Sequence, residues 1–176
     1  ILPTKPANIL KSVLVKAEGD VKVSTDAKGA IFESSSFTLS CRFVNGTYPK
    51  YNSVIPQNNP YKLVVDRVSL LNAIRRVSVF ANASGLVIFQ LKENEIYMKA
   101  EDREFSTMAE ERMSCDYQGE EMLIGFNNTK MIDVLNNINS DTLVVTLSGP
   151  SRAGVFLPET QEDGEEMLVL LMPMMV

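Results

Sequence analysis

Catalytic chemistry has little to work with in this chain. Among its 176 residues there is no histidine, which removes Ser–His and Cys–His nucleophile pairs and most zinc sites. No glycine-rich phosphate loop is present, and SGPSRAG at 148–154 reads as a turn between strands. The carboxylates Glu110 and Glu111 lie in an alternating stretch, where neighbours point to opposite faces and cannot serve one reacting group. Asp163, Glu165 and Glu166 offer oxygens to a hard cation, but a polar acidic loop is ordinarily just solvated. Cys41 and Cys115, in strand-like SCRFV and MSCDY, fit reduced thiols of a cytosolic protein rather than a disulfide framework. The sequons at Asn45, Asn82 and Asn127 would matter only in a secreted chain. A non-catalytic protein with no cofactor and no metal is the expectation.

Binding chemistry is better represented, in two places. The helical stretches carry Lys5, Lys11, Arg67, Arg75, Arg76 and Lys130 against one acid, Asp133, although the whole chain has a net charge of −5. The other carboxylates fall mostly in strands and loops, as at 101–102, 110–111, 120–121 and 162–166. Segregation of this kind prepares one surface for anions and leaves the rest acidic. The second place is the C-terminal MLVLLMPMMV at 167–176. Its continuous apolar run over 167–171 reads as a buried strand, which Pro173 ends because it has no N–H to donate. Met174, Met175 and Val176 are then tethered to a core strand without belonging to it, and flexible, polarizable Met side chains suit a surface groove that accepts partners. The competing expectation is a tail folded into its own core.

These residues need elements to hold them. TKPANILKSVLV at 4–15 predicts a helix with Thr4 as N-cap, Pro6 in the first turn, and Ile9, Leu10, Val13 and Leu14 on one face. Strands follow in DVKVST, AKGAIFESS and SFTLSCRFVNG. A polar, proline-containing linker runs from Thr47 to Pro60 and marks the best domain boundary. The pattern then restarts with strand YKLVVD, a helix in RVSLLNAIRRVSVFA facing inward through Val68, Leu71, Ile74 and Val77 or Val79, and strands GLVIFQL, ENEIYMKA and REFSTMAEERMSC. It restarts again with EEMLIGF, a helix in NNTKMIDVLNNI capped by Asn127 or Asn128, and strands TLVVTLSG, RAGVFLP and EEMLVLLMP. A unit of strand, helix and three strands is therefore present twice in full, and a third copy lacks its first strand. A period near 60 residues suits duplicated half-domains, giving an α+β fold of antiparallel sheets with helices on one face. With 45% hydrophobic residues and no apolar run near the roughly 20 residues a bilayer demands, a soluble domain is expected. The start at Ile1 suggests a fragment.

NGTYPKYNSVIP at 45–56, RRVSVFA at 75–81, IGFNNTKMIDVLNNI at 124–138 and LMPM at 171–174 together resemble the bacterial replicative sliding clamps, the beta subunits of DNA polymerase III. The resemblance covers the whole chain. It implies that residues 1–56 are the second half of the clamp's middle domain and residues 57–176 its complete third domain. Family members are head-to-tail homodimeric rings of six similar domains, cytoplasmic and non-catalytic, with helices lining a central hole and sheets outside. By this resemblance Lys5, Lys11, Arg75, Arg76 and Lys130 face double-stranded DNA through its phosphates, without base readout. Val79 and Phe80 belong to the subunit interface. A peptide pocket between the middle and third domains receives short motifs of DNA polymerase, clamp loader and repair proteins. Its counterparts here are Pro49 and Val54, Asn127, Ser151, Ala153, and Leu170, Leu171, Met172, Pro173 and Met174. Two departures lower the positive charge of its rim: Met175 and Val176 replace a charged-and-leucine ending, and Ser53 stands where a base is common. A peptide-binding or oligomerisation module with no DNA role is the alternative.

Overall fold

The computed structural model describes residues 1–176 and divides into two compact units, Ile1–Tyr51 and Asn52–Val176. The division lies within the linker, between residues 51 and 52, where the sequence placed it at 56/57. The first unit holds helix α1 (Thr4–Leu14) and an antiparallel sheet of β1 (Lys22–Thr25), β2 (Gly29–Glu33) and β3 (Thr38–Arg42) in that order. Pro3, not Thr4, is the N-cap of α1, and no side chain caps it. Pro3 already sits in extended backbone, with its φ fixed by the ring, so the helix starts one residue earlier than the threonine signal suggests. At the β1–β2 turn the Asp26 carboxylate accepts from the N–H groups of Lys28 and Gly29, each at 2.7 Å, and these bonds lower its pKa. Gly29 admits the neighbouring strand, since a Cβ there would stand 2.3 Å from the Cys41 carbonyl oxygen. Of the expected inward face of α1 only Leu10 is buried, and Ile9 and Leu14 are exposed.

The second unit runs β4 (Tyr61–Asp66), α2 (Arg67–Ser78), β5 (Leu86–Lys92), β6 (Glu95–Asp102), β7 (Thr107–Ser114), β8 (Asp116–Gln118), β9 (Met122–Asn127), α3 (Asn128–Asn137), β10 (Thr142–Leu147), β11 (Gly154–Pro158) and β12 (Val169–Leu171). Its strands form two antiparallel sheets, ordered β12-β11-β10-β4-β8 and β7-β6-β5-β9. Alternation decides the faces: Val87, Phe89 and Leu91 of β5 and Ile96, Met98 and Ala100 of β6 are all buried. Phe89 and Phe126 from one sheet and Phe156 from the other form an edge-to-face chain, with centroids 5.8 and 5.9 Å apart, that joins the two sheets in one core. Strand β8 is an addition to the expected pattern. After β7 the chain crosses to the other sheet and pairs with β4, burying Tyr117. Three residues with one apolar side chain are too short to show a period.

Both helices of this unit are capped from the preceding strand. The Asp66 carboxylate accepts the Ser69 N–H at 2.7 Å, and Asn127 Oδ1 accepts the Lys130 N–H at 3.0 Å. The buried face of α2 is Leu70, Leu71, Ala73, Ile74 and Val77. Val68, expected inside, is exposed by 43%, and of the alternatives Val77 and Val79 it is Val77 that is buried, Val79 being 78% exposed. At roughly 100° per residue Val68 stands about 160° from Leu70 and about 140° from Ala73, so it falls outside the buried stripe. Helix α3 buries Met131, Val134 and Leu135, the face its spacing predicts.

Candidate functional site

The C-terminal segment is anchored at both ends, to different sheets. Leu171, Leu170 and Val169 pair with Gly154, Val155 and Phe156, making β12 the edge of the five-stranded sheet. Beyond Pro173 the Met174 N–H donates to the Gly125 carbonyl at 2.8 Å, an isolated antiparallel bridge to β9, the edge of the four-stranded sheet. The ladder with β11 stops before Pro173, but pairing resumes beyond it on the second sheet. The strand is also shorter than 167–171. The Gln161 side chain accepts the Met167 N–H and donates to the Met167 carbonyl, both at 2.8 Å, so Met167 is satisfied without the ladder.

Exposure separates frame from contact surface. Leu171 and Ala153 are buried, each 7% exposed, and Leu171 belongs to the core cluster. Met172 is 65% exposed, Met175 96% and Val176 58%, while Leu170, Pro173 and Met174 are half-buried. The tail is therefore neither core throughout nor loose: Leu171 is core, and Met172 and Met175 lie on the surface. Val54 and Ser151 are exposed. Asn127 is committed structurally, with Oδ1 capping α3 and Nδ2 donating to the Ser84 carbonyl at 2.9 Å, so its amide braces the loop before β5. Pro49 lies in the first unit and is exposed.

The helix cations are not equivalent. Arg67 is structural: Nη1 donates to the Leu135 carbonyl at 2.9 Å and Nε to that of Ser140, which satisfies carbonyls at the C-terminal end of α3. Arg76 is held bidentately by Glu111 of β7, and the carboxylate raises its pKa. Arg75 reaches across to α3, where Nη2 meets Asn136 Oδ1 at 3.3 Å, and keeps its net charge. Lys5, Lys11 and Lys130 are exposed and form no salt bridge. Lys5 and Lys130 sit in the first turns of α1 and α3, which contain no acid. A cation at the positive end of a helix dipole is mildly unfavourable and sharpens that end's attraction for anions.

At the four-stranded sheet Lys92, Lys99, Arg103 and Arg112 are each matched by an acid. Glu101 receives both Lys99, at 2.8 Å, and Arg103, at 2.6 Å, and their hydrogen bonds bring its pKa down to about 2. Arg112 stands 5.4 Å from the Tyr97 ring centroid, and a hydrogen bond to Glu110 raises the Tyr97 pKa. At the end of α2, Val79 and Phe80 are exposed by 78% and 38%. Sequence reasoning did not find the Arg76–Glu111 pair, the Gln161 clamp or the bridge at Gly125. Only the last left a signal, a glycine inside the strand pattern of EMLIGFN.

The second unit, with two antiparallel sheets sharing one core, two capped helices and an apolar tail linking two sheet edges, has the architecture found in DNA sliding clamps. Residues 52–175 match the family model for the DNA polymerase III beta subunit, C-terminal domain, and the chain belongs to that family. It is 30% identical over 173 residues to a beta sliding clamp of Pseudomonas putida, covering 98% of this chain and 47% of the relative. A Vibrio cholerae beta sliding clamp is 27% identical over 172 residues, covering 97% and 46%. Among solved structures, a DnaN sliding clamp from Bartonella birtlesii bound to griselimycin superposes with a TM-score of 0.93 at 29% identity, covering 100% of this chain and 47% of that one. A DNA polymerase sliding clamp from Caulobacter crescentus gives 0.93 at 25% identity, covering 100% and 46%. The chain thus spans about half the length of the relatives it matches.

Proposed function

We propose that this chain is the C-terminal half of a replicative sliding clamp, a non-catalytic processivity factor that encircles duplex DNA and tethers other replication proteins. Residues 1–56 form the second half of its middle domain and 57–176 its third domain. The full-length protein closes as a homodimeric ring in the cytoplasm, and Val79 and Phe80 contribute apolar surface to the subunit contact. Lys5, Lys11, Arg75 and Lys130 attract DNA phosphates, with no base contacts, and the charge of Arg76 is offset by Glu111. Short, partly hydrophobic peptides of polymerase, clamp loader and repair proteins bind along Leu170 to Met174, with Val54, Ser151 and Asn127 at the margins. The observation that carries this reading is the partition of surface chemistry: Lys5, Lys11, Arg75 and Lys130 exposed on the helices without a salt bridge, Lys99, Arg103 and Arg112 paired with acids at the four-stranded sheet, and Met172 and Met175 exposed on a doubly anchored tail.

The test uses the full-length protein that carries this chain. Arg75→Ala combined with Lys130→Ala should shorten retention on circular DNA and leave binding of a polymerase-type peptide unchanged. Retention that does not fall in the double variant would favour the alternative, a peptide-binding module without a DNA role. Lack of peptide binding by the wild-type protein would remove the tethering role.

A further inference from the structure

We propose that Gly125 is a positioning residue for the peptide groove: it seats the C-terminal segment against the second sheet and so fixes where Met172 and Met174 present their side chains. The role in the groove rests on the peptide-binding reading above; the seating does not. Gly125 occupies the fourth position of β9, in a strand that is otherwise Met, Leu, Ile, Phe and Asn. Glycine there weakens the strand by itself, and a β-branched residue would suit it better. Its presence needs a cause, and the surroundings supply one.

A Cβ built on Gly125 would meet three atoms at once. These are Leu86 Cδ1 at 2.7 Å, Val176 Cγ2 at 2.9 Å and the Met174 carbonyl oxygen at 3.0 Å. The first two belong to side-chain ends that can turn away. The third is backbone, and it is held in place by the 2.8 Å bond from the Met174 N–H to the Gly125 carbonyl. Two of these three atoms belong to the tail, so any side chain at 125 would occupy the space that the tail now fills. Gly125 has negative or extended φ, since it is absent from the glycines with positive φ, so conformational freedom is not the reason for it. Close approach of a second backbone is. Residues 172–173 span the interval between the β12 ladder, which ends at Leu171, and the Gly125 bridge. With both ends fixed, Met172 has a defined position despite its exposure; with the second end released, it would be on a free terminus.

The experiment compares Gly125→Val, deletion of residues 174–176, and the two combined, each in the full-length protein that carries this chain. Seating is read from the Val176 methyl resonances, and groove function from titration with a polymerase-type peptide. Gly125→Val should move the Val176 methyl signals to their random-coil positions. It should weaken the peptide about ten- to a hundredfold, the effect of removing one or two apolar side chains from the groove. The combined variant should bind no more weakly than the deletion alone, because both act through the same segment. Gly125→Ala should fall between wild type and valine. Unchanged Val176 signals in Gly125→Val would overturn the seating. Displaced signals with unchanged peptide affinity would overturn the role in the groove. A combined variant weaker than the deletion by the full effect of Gly125→Val would show that the substitution acts through the strand and not the tail. If wild type binds no peptide, the tethering function falls and takes the groove role with it, while the methyl signals still decide the seating.

Discussion

Met174→Ala and Leu171→Ala, three residues apart on one segment, should separate binding from folding. Leu171 is 7% exposed, lies in the core cluster and pairs with Gly154. Truncating it removes buried methyl groups and leaves a cavity, at a cost of about 2–4 kcal/mol in folding free energy. Met174 is half-buried and outside that cluster, and its tie to the fold is a backbone bond that alanine keeps. Its truncation loses three heavy atoms from a site already partly in water, so about 1 kcal/mol of stability is expected. A bound peptide would cover the rest of that side chain. Removing the side chain should then cost a further 1–2 kcal/mol in affinity, roughly five- to thirtyfold. The assay is calorimetric titration of a polymerase-type peptide into each full-length variant, with thermal unfolding alongside. At about 3–6 °C per kcal/mol for a domain of this size, Leu171→Ala should lower the midpoint by roughly 6 °C or more and Met174→Ala by less than about half of that. Equal midpoint losses would mean that the tail beyond Pro173 is core. Equal affinities for wild type and Met174→Ala would refute its place in the groove.

Other expectations follow from the same geometry. In a salt titration of DNA binding by the ring, Lys130→Ala and Arg75→Ala should each lower the logarithmic slope by roughly 1, the share of one neutralised phosphate. Arg76→Ala should leave that slope unchanged, because its charge is already met by Glu111. Asp66→Ala removes the cap on α2 and should destabilise the second unit by about 1 kcal/mol in urea unfolding. Asp66 and Glu101 both have lowered folded-state pKa values, the first through Ser69 and the second, at about 2, through Lys99 and Arg103. The stability they supply is complete above the ordinary carboxylate range and is lost as pH falls from about 4.5 toward 2, so Glu101→Gln should flatten that limb of a pH–stability curve. Burial, with Asp116 and Glu95 nearby, pushes the Cys115 thiol up to about 11. Near neutral pH it should alkylate roughly a hundredfold more slowly in the folded protein than in urea, since each pKa unit is a factor of ten in thiolate.

Most strands and all three helices were legible because their apolar residues recur at a clear period, from VKVST at 21–25 to TLVVTL at 142–147. Where signals competed, boundaries moved. Thr4 looked like a cap but lost the position to Pro3, and Val68 is left out of the core because the stripe is centred on Leu70, Ala73, Ile74 and Val77, well round the helix from it. Strand β8 was hidden by its length. At the tail, residue types pointed to the right segment, but its double anchorage depends on contacts distant in sequence, 125 with 174 and 161 with 167. The same holds for the cations: composition found six, and only packing distinguishes Arg67 and Arg76, which serve the fold or an acid, from Arg75 and Lys130.

The scarcity of burial in the first unit has a consequence for how the chain would meet a protease. Leu10 and Ala30 are its only fully buried apolar residues, whereas the second unit has a continuous core from Leu63 to Leu171. Ordering a residue costs about 1–2 kcal/mol of backbone entropy, and two buried side chains return little of that. Residues 1–51 are thus held mainly by the ladder of β1, β2 and β3, whose opening exposes cleavable backbone at small cost. In the isolated chain, digestion should begin there, at sites such as Lys16, Lys22 and Lys28. The fragment that outlasts it should start near Asn52 and end at the tail, whose bonds to two sheets give its terminus a protection that chain ends usually lack.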